Sequence, residues 1–176
     1  MILIHVKHNK KYKMKSNLIS EKTINYLNFR IQQEEESSRL YEQMHLWLED
    51  KGYLNTSKLY KKYSDEERSH AGWAKSYLLD FGVTPTLYEL EAPSCMYEGL
   101  KDIFTKTLQH EELITTQIKE IGQEALKESD FVLFSLVMKY QAEQQEEIGK
   151  AITLLDISEL SFDNLILDKY IGENLL

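Results

Sequence analysis

The chain has very little with which to turn. Its 176 residues contain two prolines and seven glycines. An all-β sandwich or barrel of this length needs a turn signal every ~8–12 residues, so the count excludes that architecture. Few turns mean few, long elements. In a chain that is 42% apolar and 28% charged, long elements are amphipathic helices around one core. Both prolines, Pro85 and Pro93, fall in a single segment.

The formal net charge of −8 argues against a nucleic-acid-binding domain, which carries a basic face. One cysteine, Cys95, cannot close an internal disulfide and fits a reducing compartment, so a cytoplasmic location is expected. No apolar run approaches ~18 residues, and no membrane span is expected. Residues 1–13, MILIHVKHNKKYK, place apolar residues before the lysines, the reverse of a signal peptide. Met14 follows at once. We expect 1–16 to be an extension, disordered or upstream of the true start, and 17–172 to be the domain. His5 and His8 are of metal-ligand type, but solvated tail residues are the simpler reading.

Four segments carry helical periodicity. The first, roughly 19–49, has the stripe Ile24, Leu27, Ile31, Glu34, Ser38, Tyr41, His45, Leu48. The second, roughly 55–82, has Leu59, Tyr63, Glu67, His70, Ala74, Tyr77, Phe81. The third, roughly 96–126, has Leu100, Phe104, Thr107, Glu111, Ile114, Ile118, Ile121, Ala125. The fourth, roughly 130–156, has Leu133, Val137, Tyr140, Gln144, Glu147, Ala151, Leu154, with Ser129 or Asp130 as its cap. A shorter amphipathic stretch covers roughly 160–171. Met44, Met96 and Met138 are expected to pack in the core.

Short links join the first pair and the last pair, which makes each pair antiparallel. The middle link, GVTPTLYELEAPSC at 82–95, has no helical pattern. At ~3.3 Å per residue it reaches about 46 Å, and a helix of ~28 residues is about 42 Å long. The link can therefore run the length of the bundle as a crossover, leaving the second and third helices parallel.

Each stripe is apolar except near its middle. The interruptions are Glu34, then Glu67 with His70, then Glu111, then Gln144 with Glu147. Each lies within a turn of its helix midpoint, so the four carboxylates converge in one layer. Burying them together is costly unless they are protonated or a multivalent cation occupies the layer. Four glutamates and a histidine suit two divalent cations, and the imidazole favours iron or zinc over magnesium or calcium. The Glu67-x-x-His70 spacing sets both side chains on one face. His45 is expected at the core edge, and His110 is expected to point away from the Glu111 face.

Four stretches now stand in order: EEESSRLYEQM at 34–44, DEERSH at 65–70, LQHEELITTQIKE at 108–120 and YQAEQQEEI at 140–148. Over roughly 17–172 the chain resembles the ferritin family, and within it the non-haem bacterial ferritins. The resemblance implies an all-α, ferritin-like four-helix bundle with a long crossover and a short fifth helix, a layout general to such bundles. It implies that Glu34, Glu67 and His70 hold one iron, and that Glu67 bridges to a second held by Glu111 and Glu147. Gln144 stands beside the pair to orient water or oxygen, and Tyr41 stands as a one-electron donor. A further iron site would use Glu66, Glu143 and Glu146 alongside Glu147.

The departures also discriminate. The fourth helix has no second Glu-x-x-His, unlike bacterioferritins and di-iron oxidases. Arg68 occupies the position of the haem-ligating methionine of bacterioferritins, so no haem is expected. The resemblance implies an iron-storage protein with ferroxidase activity, taking ferrous iron and dioxygen or hydrogen peroxide. It also implies a hollow 24-mer with the fifth helix at its four-fold axes, and no nucleic acid or membrane partner. A small-oligomer di-iron carboxylate oxidase, or a peroxide-reducing ferritin-like protein, without a storage shell is the alternative. A helical interaction module with a polar layer that only sets register is a third reading.

Overall fold

The computed structural model describes residues 19–160 and 163–176. The expected extension at 1–16, with His5 and His8, lies outside the described residues. The helices are α1 (Glu21–Asp50), α2 (Leu54–Asp80), α3 (Leu100–Lys127), α4 (Phe131–Leu160) and α5 (Asn164–Asn174). No strand occurs among the described residues.

The helix ends follow from local chemistry. Ser20 Oγ accepts from the Thr23 N–H at 3.0 Å and caps α1. Asp130 Oδ1 accepts from the Leu133 N–H at 2.9 Å and caps α4, as one of the two expected candidates. At the end of α1 the chain reverses through Gly52, whose φ of +82° is left-handed and free of penalty only for glycine. Helix α2 begins after Tyr53 without a side-chain cap of its own. Asp168 of α5 fills that role. Its carboxylate accepts from the Asn55 N–H at 3.3 Å, the Thr56 N–H at 2.8 Å and the Thr56 hydroxyl at 2.7 Å.

The long connection runs along α1. The Thr86 N–H donates to Asn28 Oδ1 at 2.9 Å, Gln32 Nε2 donates to the Glu89 carbonyl at 2.9 Å, and Tyr97 meets Trp47 edge-on at 5.6 Å. Successive contacts climb α1 from residue 28 to residue 47, so the segment is a crossover that starts α3 beside the N-terminus of α2. Across the bundle, Tyr60 bonds Thr107 and Arg30 meets Gln117. These pairs fix α3 parallel to α2 and antiparallel to α1.

The connection is longer than expected. It spans 81–99, and α3 begins at Leu100 rather than near residue 96. Ser94 Oγ accepts from the Met96 N–H, the Tyr97 hydroxyl donates to the Ser94 carbonyl, and Asp102 accepts from the Glu98 N–H. These side-chain bonds hold 94–98 outside the helix. Met96 is consequently exposed, and Met138 is exposed as well; only Met44 packs in the core as expected.

The core is split in two. One apolar cluster contains Ile24, Leu27, Ile31, Leu78, Ile118 and Val137. The other contains Met44, Leu48, Tyr60, Phe104, Leu154 and Ile171. The polar stripe positions lie between them, at the level where the four midpoints meet. No described helix is long and apolar enough to cross a membrane.

Candidate metal centre

Each of the four long helices sends acidic or amide side chains into this interval. Glu34, Glu67, His70, Glu111 and Gln144 are all buried, and the Glu147 side chain is 15% exposed. They form two groups. Glu34, Glu67 and His70 each offer a ligand atom within 4.8 Å of the others, and so do Glu67, Glu111 and Glu147. Glu67 belongs to both. The donor set is carboxylate oxygens with one imidazole nitrogen, which suits a pair of transition-metal cations.

Hydrogen bonds orient several of these residues. Tyr41 donates its hydroxyl to Glu111 Oε1, and Gln144 Nε2 donates to Glu111 Oε2 at 2.6 Å. His70 Nδ1 lies 3.4 Å from Glu67 Oε2 and 3.6 Å from Glu147 Oε1. Trp73 packs on the His70 ring at 4.6 Å, and the Tyr140 hydroxyl donates to the His70 carbonyl at 2.8 Å. A small cavity lined by Tyr41, Tyr63, Glu67, Glu111, Glu147 and Lys150 opens beside the second group.

The electrostatics follow from crowding acids away from water. Desolvation pushes the Glu34 carboxyl up to about 8 and that of Glu111 to about 7. Glu67 and Glu147 rise together, first by desolvation and then by neighbouring carboxylates. At neutral pH these raised carboxyls hold protons, which a cation binding among them displaces.

Glu66, Glu143 and Glu146 join neither group. Glu146 is exposed and pairs with Lys150 at 3.0 Å, and Glu66 lies 3.8 Å from Lys62. His110 turns to Ser37 Oγ at 2.8 Å and lies edge-on to Tyr41 at 5.8 Å, where burial lowers it to about 4. His45 sits at the core edge, 2.8 Å from Ser57 Oγ.

Sequence reasoning missed Arg30. It is 1% exposed, and its Nε lies 2.8 Å from Glu34 Oε1. The available signal was an arginine four residues before an inward glutamate on the same helix face. Lys150 was missed too. It stands three residues after Glu147, one turn along the same face.

The fold and the shared carboxylate define a four-helix bundle with two buried side-chain groups of metal-ligand type that meet at Glu67. A family model for the ferritin-like domain matches residues 24–160. A probable bacterial non-heme ferritin-like protein of Haemophilus influenzae is 32% identical over 139 residues, which cover 79% of this chain and 84% of the relative. A bacterial non-heme ferritin of Escherichia coli O157:H7 is 31% identical over 130 residues, covering 74% and 79%. An open pore ferritin from the archaeon Archaeoglobus fulgidus superposes with a TM-score of 0.84 at 28% identity, covering 88% of this chain and 98% of that one. The chain belongs to the ferritin family, and its curated relatives carry the name non-heme ferritin.

Proposed function

We propose that this protein stores iron, and that it oxidises ferrous iron at the paired groups before depositing it as ferric mineral. The observation that carries the reading is the position of Glu67. It contributes to both Glu34–Glu67–His70 and Glu67–Glu111–Glu147, so one carboxylate can bridge two ions. Glu34 and His70 complete the first set of ligands, and Glu111 and Glu147 the second. Two ferrous ions held side by side each give one electron to dioxygen, which takes up two protons and leaves as hydrogen peroxide. Peroxide as oxidant takes the same two electrons with two protons and leaves as water.

The chain supplies ligands, a fixed spacing and proton acceptors. The carboxyls raised by burial release their protons as ions enter, so charge in the layer stays low throughout. Gln144 and Tyr41 hold Glu111 from its two oxygens. Storage needs an enclosed volume, so the reading includes a shell of many copies, with α5 near an axis where subunits converge. Family membership and the likeness to solved ferritins support that assembly.

The test has two parts. Glu67→Ala and His70→Ala should each abolish rapid Fe²⁺ oxidation while the particle size is kept. Undiminished rapid oxidation in both variants sinks the site assignment. Size-exclusion chromatography should give a particle of about 500 kDa for a 24-subunit shell of 20.7 kDa chains. A dimer of about 40 kDa rejects storage and favours a small di-iron oxidase.

A further inference from the structure

Arg30 puts a permanent positive charge against one of the proposed iron ligands. The side chain is 1% exposed, one helical turn before Glu34 on α1. Its Nε forms the 2.8 Å ion pair with Glu34 Oε1, but the approach is too bent for an aligned hydrogen bond, and among the described residues Nη2 has no hydrogen-bond partner. Nη1 reaches only Gln117 Oε1, at 3.5 Å. Gln117 is itself held by donating to Gln33 Oε1 at 3.0 Å. The Tyr140 ring lies 5.9 Å from the guanidinium carbon and walls it in.

A guanidinium does not lose its proton in a protein. The charge is therefore present whether or not the layer holds metal. In a buried setting it is poorly screened, and it has two consequences for a cation at Glu34. One carboxylate oxygen is already engaged by the guanidinium. The arriving cation also meets a like charge just behind its ligand. Glu111, by contrast, is held by the uncharged donors Tyr41 and Gln144.

We propose that Arg30 is a positioning residue that makes the Glu34–Glu67–His70 group the weaker half of the pair, holding one oxygen of Glu34 and opposing the bound cation. The two halves then fill unequally, and the first half gives up its ion more readily. The proposal rests on the reading of both groups as cation sites.

The experiment is an anaerobic calorimetric titration of the assembled, metal-free protein with Co²⁺, comparing the native chain with Arg30→Gln, Arg30→Met and Arg30→Lys. The native protein should show two unequal classes of site. Arg30→Gln and Arg30→Met should tighten the weaker class by about 10-fold or more, the scale on which groups behind a ligand act. Arg30→Lys keeps the charge and should leave the weaker class within a few-fold of native. Equal classes in the native protein overturn the proposal. So does a weaker class that is unmoved or loosened in the neutral variants, or one that tightens equally in Arg30→Lys. Arg30→Met fills the stem volume and provides the measurement if Arg30→Gln does not fold. Absence of Co²⁺ binding in the native protein sinks the metal-site reading itself, whereas binding indifferent to Arg30 sinks only this proposal.

Discussion

Gln144 and Glu111 meet across the bundle, the amide of Gln144 donating to Glu111 Oε2 at 2.6 Å. Tyr41 donates to the other oxygen of the same carboxylate. Glu111 is thus held from both sides before any cation arrives, by one neutral donor from α4 and one from α1. Such donors orient a ligand and tune its basicity. Tyr41→Phe and Gln144→Ala should each cost about 10-fold or more in the rate of Fe²⁺ oxidation or in metal affinity. Stopped-flow oxidation together with anaerobic binding separates the two effects. Each variant should lower affinity and rate together, because each removes one of the two donors that fix Glu111. Native rates in both variants would remove Glu111 positioning from the mechanism.

The pH response of the metal-free protein follows from the same layer. Burial lifts Glu34 to about 8 and Glu111 to about 7, against about 4.3 for an unperturbed glutamate. Between those limits the folded state binds more protons than the unfolded state, so stability falls as pH rises. Below about pH 4.3 the carboxyls are protonated in both states and the penalty vanishes. The thermal midpoint of the metal-free protein should therefore drop as pH is raised from about 5 to 8, by roughly 2–4 °C for each kcal/mol. A divalent cation should restore it, and more strongly at pH 8 than at pH 6. A midpoint that rises across this window contradicts the buried-acid account.

The layer was legible from the sequence because Glu34, Glu67, Glu111 and Glu147 interrupt otherwise apolar stripes at helix midpoints. Midpoints share a level in a four-helix bundle whichever way each helix runs, so one-dimensional spacing carried three-dimensional content. The crossover was legible because both prolines fall in one unpatterned segment. Its end was not. Residues 94–98 are held out of the helix by bonds from Ser94, Tyr97 and Asp102, and periodicity does not register such competition. Arg30 escaped because charge at a helix position reads as solvent-facing until Gln117 and Tyr140 from other helices are seen to enclose it. Met96 and Met138 misled because an apolar residue counts as core only when a neighbouring element covers it.

Lys150 governs the outer acids. Its ammonium pairs with Glu146 at 3.0 Å and lines the cavity shared with Glu66, Glu67 and Glu147. Glu66, Glu143 and Glu146 were expected to serve a further iron ion, yet they join neither close group. The Lys150 ammonium beside Glu66 and Glu146 opposes metal binding there. Lys150→Ala removes that competitor. It should add a weak cation site, seen as one further equivalent of Fe²⁺ bound per chain under anaerobic titration. Unchanged stoichiometry would leave those three acids as a solvated face.

Asp168 makes α5 part of the bundle rather than a loose tail. It is 6% exposed, and it accepts from two backbone N–H groups at the start of α2 and from the Thr56 hydroxyl. Leu167 and Ile171 bury beside it in the second apolar cluster. Removing an N-cap costs about 0.5–2 kcal/mol, and the buried donors left behind push the cost to the upper end. Asp168→Ala should lower the thermal midpoint by roughly 2–8 °C, since each kcal/mol shifts a chain of this size by about 2–4 °C. Gly172→Ala probes the same contact from the packing side. A Cβ there would lie 2.6 Å from Asn55 Cγ, and Asn55 cannot swing aside without losing its 3.1 Å bond to Asp168. Both variants should loosen α5 first, which hydrogen exchange reads as lost protection at 164–174 and at the first turn of α2. Fe²⁺ oxidation should persist, because neither residue belongs to the carboxylate layer. Protection unchanged in both variants would mean that Leu167 and Ile171 alone hold the helix.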